Sequence, residues 1–283
     1  MRLREWFDSR VPRPIQHPIL RTWRGAREAH FFVRNLVART HSSPVFVLGN
    51  QKAGTSAVAG LLGMATGRPT TLDLRREVGK RVYPRIVNGE LEFEDLIRRN
   101  PLDFSRPIVK EPNLTLFYDD LRKRFPHSRF VFVVRDPRDN IRSLLNRLRI
   151  AGDLDLLTPA HCTNVDPGFA LLLDGRWCGI DADPHYIDQL AERWNVCADV
   201  YLDHSEDLAL LRYEDFRTDR KAAIEDLARR LDLEVERDIS NKVDIQFQRA
   251  GDLNVSWSDF FGANLARIEN CCRERMSKFS YAC

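Results

Sequence analysis

The sequence predicts an α/β protein, a P-loop-like three-layer sandwich with a largely parallel sheet and helices on both faces. Three observations lead there. An apolar run at 45–48 passes through a glycine-containing turn into a helical pattern at 55–64. A second unit of the same kind has an aromatic and β-branched run at 130–134, then a helix with Pro137 in its first turn. A third strand at 208–213 stands between helical patterns at 185–202 and 217–231. Strands that alternate with helices are joined by crossovers, and crossovers build parallel sheets covered on both sides.

The chain divides into a basic N-terminal extension, 1–43, and a domain spanning 44–283. In the extension, Arg2, Arg4, Arg10, Arg13, Arg21, Arg24, Arg27, Arg34 and Arg39 stand among Trp6, Phe7, Trp23, Phe31 and Phe32. Prolines 12, 14 and 18 break its first part, and 20–39 then reads as an amphipathic helix. Such a helix packs on its own domain or lies on an anionic membrane surface.

The segment 45–56, VFVLGNQKAGTS, holds the first candidate site. Between strand and helix, the main-chain amides of Asn50, Gln51, Lys52, Ala53, Gly54, Thr55 and Ser56 can line a concavity at a helix N-terminus, which favours an anion. Lys52 adds a charge, and Thr55 and Ser56 add hydroxyls. In an ATP-type loop the lysine directly follows the last glycine; here Lys52 precedes Gly54 by two residues. On 55–64 and just beyond, Val58, Leu61, Leu62 and Ala65 share one side, the face for the sheet.

Next, 106–113 reads as a short strand ending in Lys110-Glu111-Pro112. In the second unit, Arg135 stands at the strand's carboxyl end and Ser143 follows eight residues later. Ile141, Leu144, Leu145 and Leu148 form the apolar helix face, with Ser143 opposite. Ligands of open α/β sheets bind at the carboxyl ends of strands, and a guanidinium there suits a phosphate through two parallel hydrogen bonds. The alternative is a solvated helix with Arg135 paired to Asp136 or Asp139. The strand at 208–213 runs into Tyr213-Glu214-Asp215, and Trp194 lies on the helix before it.

Together the two units resemble the sulfotransferases that use 3′-phosphoadenosine 5′-phosphosulfate (PAPS). The first is similar to their 5′-phosphosulfate loop, G-x-x-K-x-G-T-S/T, here Gly49, Lys52, Gly54, Thr55 and Ser56. The second is similar to their 3′-phosphate motif, here Arg135 and Ser143. Two anion sites suit a nucleotide phosphorylated at both ends. The resemblance covers roughly residues 44–280. It implies transfer of a sulfuryl group to a hydroxyl or amine acceptor, with PAPS as co-substrate, no metal required, and release of adenosine 3′,5′-bisphosphate.

The same resemblance distributes further roles. Lys110-Glu111-Pro112 is similar to the K-D/E/S-P segment of the bacterial and tyrosylprotein-type branch, whose lysine faces the sulfuryl group. The cytosolic small-molecule branch has K-x-H there, with histidine as base. Pro112 occupies that place, so the base must lie elsewhere. Asp73 matches the acidic base of the tyrosylprotein-type branch best, followed by Glu77 and Glu111. Tyr213 falls in a segment like the family's adenine-side L-x-Y-E-D, while Trp194 reads as packing. Arg249 is weakly similar to the basic loop that closes over the 3′-phosphate. Asp153–Cys178 falls where insertions shape an acceptor pocket, but the acceptor, whether small molecule, saccharide, lipid or peptide, is not encoded in any motif.

Bulk properties exclude several classes. A formal net charge of +3 is too small to call for nucleic acid. No apolar stretch reaches the length of a membrane span, and no export pattern stands at the N-terminus. Six cysteines show no metal-ligand spacing, and reduced thiols in the cytoplasm are the expectation. Two rivals stay open: a nucleotide kinase with Asp136 as its Mg²⁺ acid, and a non-catalytic nucleotide- or glycan-binding protein on the same fold.

Overall fold

The computed structural model describes residues 33–74, 76–77, 81–165, 167–178, 180, 185–247 and 255–282. Five strands, β1 (Val45–Leu48), β2 (Thr70–Thr71), β3 (Ile108–Lys110), β4 (Arg129–Val134) and β5 (Leu208–Arg212), form one sheet in the order β2-β3-β1-β4-β5. Every pairing is parallel. The principal helices are α1 (Thr55–Ala65), α2 (Pro137–Leu148), α3 (Tyr186–Asp203), α4 (Arg220–Arg230) and α5 (Leu265–Lys278).

Side chains of a strand alternate between the two faces of a sheet, and here each face has its own core. Phe46, Leu48, Phe130, Phe132 and Val134 point into a core shared with α2, α3 and α5. Val45, Val47, Val131 and Val133 point into a second core shared with α1 and α4. This is the expected three-layer arrangement. Phe46 centres the first core, with ring centroids of Phe125, Phe130 and Phe104 at 5.3, 5.5 and 6.5 Å. Burying one such ring contributes about 1.5–3 kcal/mol.

Pro137 opens α2, where its missing N–H costs nothing, and Asp136 caps it by accepting from the Arg138 N–H. The helical pattern at 217–231 is two helices instead of one. A break falls at Asp219, whose extended backbone and side chain cap α4 by accepting from the Ala222 N–H. An aspartate caps better than it propagates a helix.

Register sets the site. Val47 pairs with Lys110, so the end of β3 lies beside the turn after β1. Val134 pairs with Arg212, so Arg135 and Tyr213 emerge side by side at the same carboxyl edge. Residues 33–37 are helical, and most of the helix expected at 20–39 lies outside the described residues. Among the described residues, no helix is long and apolar enough to cross a membrane.

Candidate active site

The turn after β1 is held in shape by its own polar groups and by two neighbouring elements. Gly49 (φ 138) donates its N–H to Thr115 Oγ1 at 2.9 Å, and that hydroxyl donates back to the Gly49 carbonyl at 3.2 Å. A side chain at Gly49 would place Cβ 2.3 Å from the Val133 carbonyl oxygen, so the position requires glycine. The Gln51 N–H donates to Asn50 Oδ1, and the Ala53 N–H to the Asn50 carbonyl. Asn50 Nδ2 donates to Asn140 Oδ1, while Asn140 Nδ2 donates to the Gln51 carbonyl, both at 2.9 Å. Gln51 Nε2 donates to Asn113 Oδ1 at 2.6 Å, and Gln51 Oε1 accepts from Arg193 Nη2 at 2.9 Å. Asn50, Gln51 and Ala53 therefore shape the loop. The N–H groups of Thr55 and Ser56 stand in the first turn of α1, whose backbone donors point out of the helix N-terminus.

Lys52 adopts a left-handed backbone (φ 68) in the middle of this turn. Burial, then repulsion from Arg135, Arg147 and Lys110, lowers its ammonium pKa to about 8. Lys52 and Arg135 thus stand close together at this turn, a setting that favours an anionic ligand.

Arg135 is buried, and burial lowers its pKa despite nearby Asp139. Its Nη1 donates to the Lys52 carbonyl at 3.3 Å, and its guanidinium lies 4.7 Å over the Tyr213 ring. Its Nε is buried without a hydrogen-bond partner. Of the two carboxylates open to it, Asp139 stands 3.8 Å away and already accepts from Arg142 and Trp257. Asp136 is engaged by Arg138 at 2.7 Å, which occupies the acid that a kinase reading needs for Mg²⁺. Trp194 donates to the Arg135 carbonyl at 2.9 Å, a packing role as expected. Ser143 is half-buried on α2, three residues beyond Asn140 and so on the stripe that meets the loop.

Tyr213 completes the group. A Cβ on Gly54 (φ 102) would fall 2.3 Å from Tyr213 Cδ2, so the ring rests on the glycine itself. Glu214 steadies the adjoining chain by accepting from the Asp136 N–H at 3.0 Å and from the Tyr281 hydroxyl at 2.8 Å.

Lys110 lies at the end of β3 with its side chain buried. Its Nζ donates to the Leu72 carbonyl at 2.9 Å and to Asp73 Oδ1 at 2.7 Å. The Asp73 side chain is 51% exposed, so it faces both the lysine and open space. Glu111 is buried, and burial raises its pKa. It accepts from Asn113 and from the Leu74 N–H. Glu77 turns instead to Asn100, at 3.0 Å, and Arg99, at 3.8 Å. The fold thus brings Asp73 to Lys110 and leaves Glu77 with different partners. Arg249 lies outside the described residues.

Sequence reasoning passes over Thr115, Asn140 and Arg193. Arg193 has the clearest signal in retrospect: an arginine among Leu190, Ala191, Trp194 and Cys197, on a helix face that is buried.

Residues 42–257 match the family model described as Sulfotransferase domain. The sulfotransferase STF9 structure from Mycobacterium avium superposes with a TM-score of 0.54 at 14% identity, covering 88% of this chain and 79% of that one. A sulfotransferase from Alicyclobacillus acidocaldarius gives 0.47 at 18% identity, with 84% and 97% covered. Mouse sulfotransferase SULT7A1 complexed with PAP gives 0.47 at 14%, with 88% and 89% covered. No curated protein matches the sequence. With most of its length matched by that model, and with the parallel sheet and loop that go with it, the chain belongs to the sulfotransferase domain family.

Proposed function

We propose that this sulfotransferase grips PAPS by both phosphates, one at the loop after β1 and one at Arg135 and Ser143, and passes the sulfuryl group in line to an acceptor. The overall reaction is transfer of the sulfuryl group from PAPS, with release of adenosine 3′,5′-bisphosphate. The observation that carries the two-ended grip is Arg135 lying against both the Lys52 carbonyl and the Tyr213 ring, which itself rests on Gly54 of the loop.

Lys52, the Thr55 and Ser56 N–H groups and their hydroxyls hold the 5′-phosphosulfate. Gly49, Asn50, Gln51, Ala53 and Gly54 supply the turn that presents them. Lys110 balances charge on the sulfuryl oxygens. Arg135, Ser143 and Arg249 hold the 3′-phosphate, and Tyr213 offers its ring to the adenine, a contact of the stacking kind. Asp73 accepts the acceptor's proton as the new S–O bond forms and the bond to the 5′-phosphate breaks. The contact between Lys110 and Asp73 supports that choice over Glu77 and Glu111, because it puts the base next to the group that faces the sulfur. In the related phosphoryl chemistry, catalysis is largely positioning and electrostatic stabilisation.

Isotopically labelled PAPS, supplied with a broad panel of hydroxyl and amine acceptors, tests this reading. Labelled product should form and should keep forming in chelator, since no step is assigned to a metal. Absence of any product, with PAPS left intact, would favour a nucleotide-binding protein without catalysis. Loss of transfer in chelator would favour the kinase alternative.

The boundary at 43/44 belongs to the same proposal and is supported by a family match that begins at residue 42. In the N-terminal segment, Asn35 donates to the Arg99 carbonyl and accepts from the Leu102 N–H, which supports packing on the domain. The exposed Val33, Leu36 and Val37 support contact with a membrane surface. Sedimentation with anionic vesicles, with and without residues 1–43, separates the two.

A further inference from the structure

A cavity of about 260 Å³ is lined by Arg147, Leu148, Arg149, Asn164, Val165 and Phe169. Helix α2 ties it to the transfer site. Asn140 contacts the loop through Asn50 and Gln51, and positions three and seven residues further along a helix share one stripe. Ser143 and Arg147 are those positions. Arg147 therefore lies one turn beyond the proposed 3′-phosphate serine, and its charge is felt at Lys52.

The lining is cationic and aromatic. The Arg147 guanidinium stands 4.6 Å over the Phe169 ring. Arg149 ends α2 with a left-handed backbone (φ 60), a common way for a helix to terminate. Among the described residues, neither arginine is paired with a carboxylate. Two guanidinium groups with no carboxylate partner among the described residues, an amide at Asn164, and apolar walls at Leu148, Val165 and Phe169 suit one kind of guest. Guanidinium groups bind oxyanions through paired hydrogen bonds. The volume is below the roughly 300–1,000 Å³ of pockets for drug-sized ligands, which suits a single substituted ring.

We propose that this cavity is the acceptor's anchoring subsite and selects acceptors that carry a carboxylate, sulfate or phosphate on a single ring. The assignment rests on the reading of Lys52 as the seat of the transferring group. It gives Arg147 and Arg149 a role in choosing the acceptor, separate from the residues that hold the nucleotide.

The test uses matched pairs that differ only in charge: 4-hydroxybenzoate against 4-hydroxybenzamide, and methyl glucuronide against methyl glucoside. Each is titrated calorimetrically into the full chain saturated with adenosine 3′,5′-bisphosphate, as wild type and as the R147Q/R149Q double variant. In at least one pair the charged member should bind tenfold or more tightly than its neutral twin. The double variant should lose that preference while still binding the bisphosphate. Equal or absent binding within both pairs, or a preference that survives in the double variant, would overturn the subsite while leaving the nucleotide reading intact. A wild-type protein that bound no bisphosphate would overturn the nucleotide reading itself, and the subsite with it.

Discussion

Arg135 stacks 4.7 Å over the ring of Tyr213, and the edge of that ring fills the space a side chain on Gly54 would need. One aromatic residue at the end of β5 thereby links the proposed 3′-phosphate arginine to the glycine of the 5′-phosphate loop. Tyr213→Ala should weaken adenosine 3′,5′-bisphosphate binding by about 0.5–2 kcal/mol, the range of a cation–π contact. Tyr213→Phe should keep most of the affinity. Gly54→Ala meets both the ring and an unfavourable φ of 102, so removing the ring in a Gly54→Ala/Tyr213→Ala double variant should restore little. Equal affinity in wild type, Tyr213→Ala, Gly54→Ala and the double variant, by calorimetry, would contradict this linkage.

Lys52 carries the largest electrostatic share in the account. Lys52→Ala should lower transfer by about 3–4 kcal/mol of transition-state stabilisation, the cost of removing one charge-stabilising donor, with the fold retained and a melting temperature no lower than wild type. Turnover near wild type would remove Lys52 from the mechanism.

The same residue predicts a pH dependence. Burial and neighbouring cations disfavour its charged form and bring its pKa to about 8 from 10.5. Below pH 8 the ligand-free site is charged and ready for an anion; between 8 and 10.5 it is neutral and must take up a proton to bind one. Bisphosphate affinity should therefore fall above pH 8, by up to about tenfold per pH unit, and Lys52→Met should flatten that part of the profile. For folding, the sign runs the other way. The unfolded chain holds this proton up to the ordinary lysine range, so the group's unfavourable contribution is full below pH 8 and is relieved as pH rises toward 10.5.

Asp73 and Lys110 make a separable test. Asp73→Asn keeps the shape and an acceptor oxygen for Lys110 but removes the base. Transfer should drop by about 10²–10⁴-fold, the usual share of general base catalysis, while bisphosphate affinity stays within a few-fold of wild type. Glu77→Gln, by contrast, should change stability more than turnover, because Glu77 is bonded to Asn100 and close to Arg99. A rate unaffected in Asp73→Asn would move the base elsewhere.

The central units of the fold were legible because their strands are buried on both faces. Residues 45–48 and 130–134 are continuous apolar runs, and turn signals follow each at the carboxyl end, where the site forms. Strand β2 escapes notice because Thr70–Thr71 has two residues, too short for any period. Helix α5 hides for another reason: only Ile268, Cys272 and Met276 are buried in an otherwise charged segment. The site divides the same way. Residues proposed to meet the nucleotide sit within motifs, whereas Thr115, Asn140 and Arg193 act through distant contacts that no local spacing encodes. The cationic cavity at Arg147 and Phe169 likewise depends on a loop returning to the end of α2.

The most direct measurement is a calorimetric comparison of adenosine 3′,5′-bisphosphate with AMP on wild type and Arg135→Ala. The account predicts that the bisphosphate binds wild type at least tenfold more tightly than AMP does, and that Arg135→Ala erases the difference while leaving AMP binding nearly unchanged. Equal affinities for the two nucleotides on the wild-type protein would contradict a site built with a seat for each phosphate.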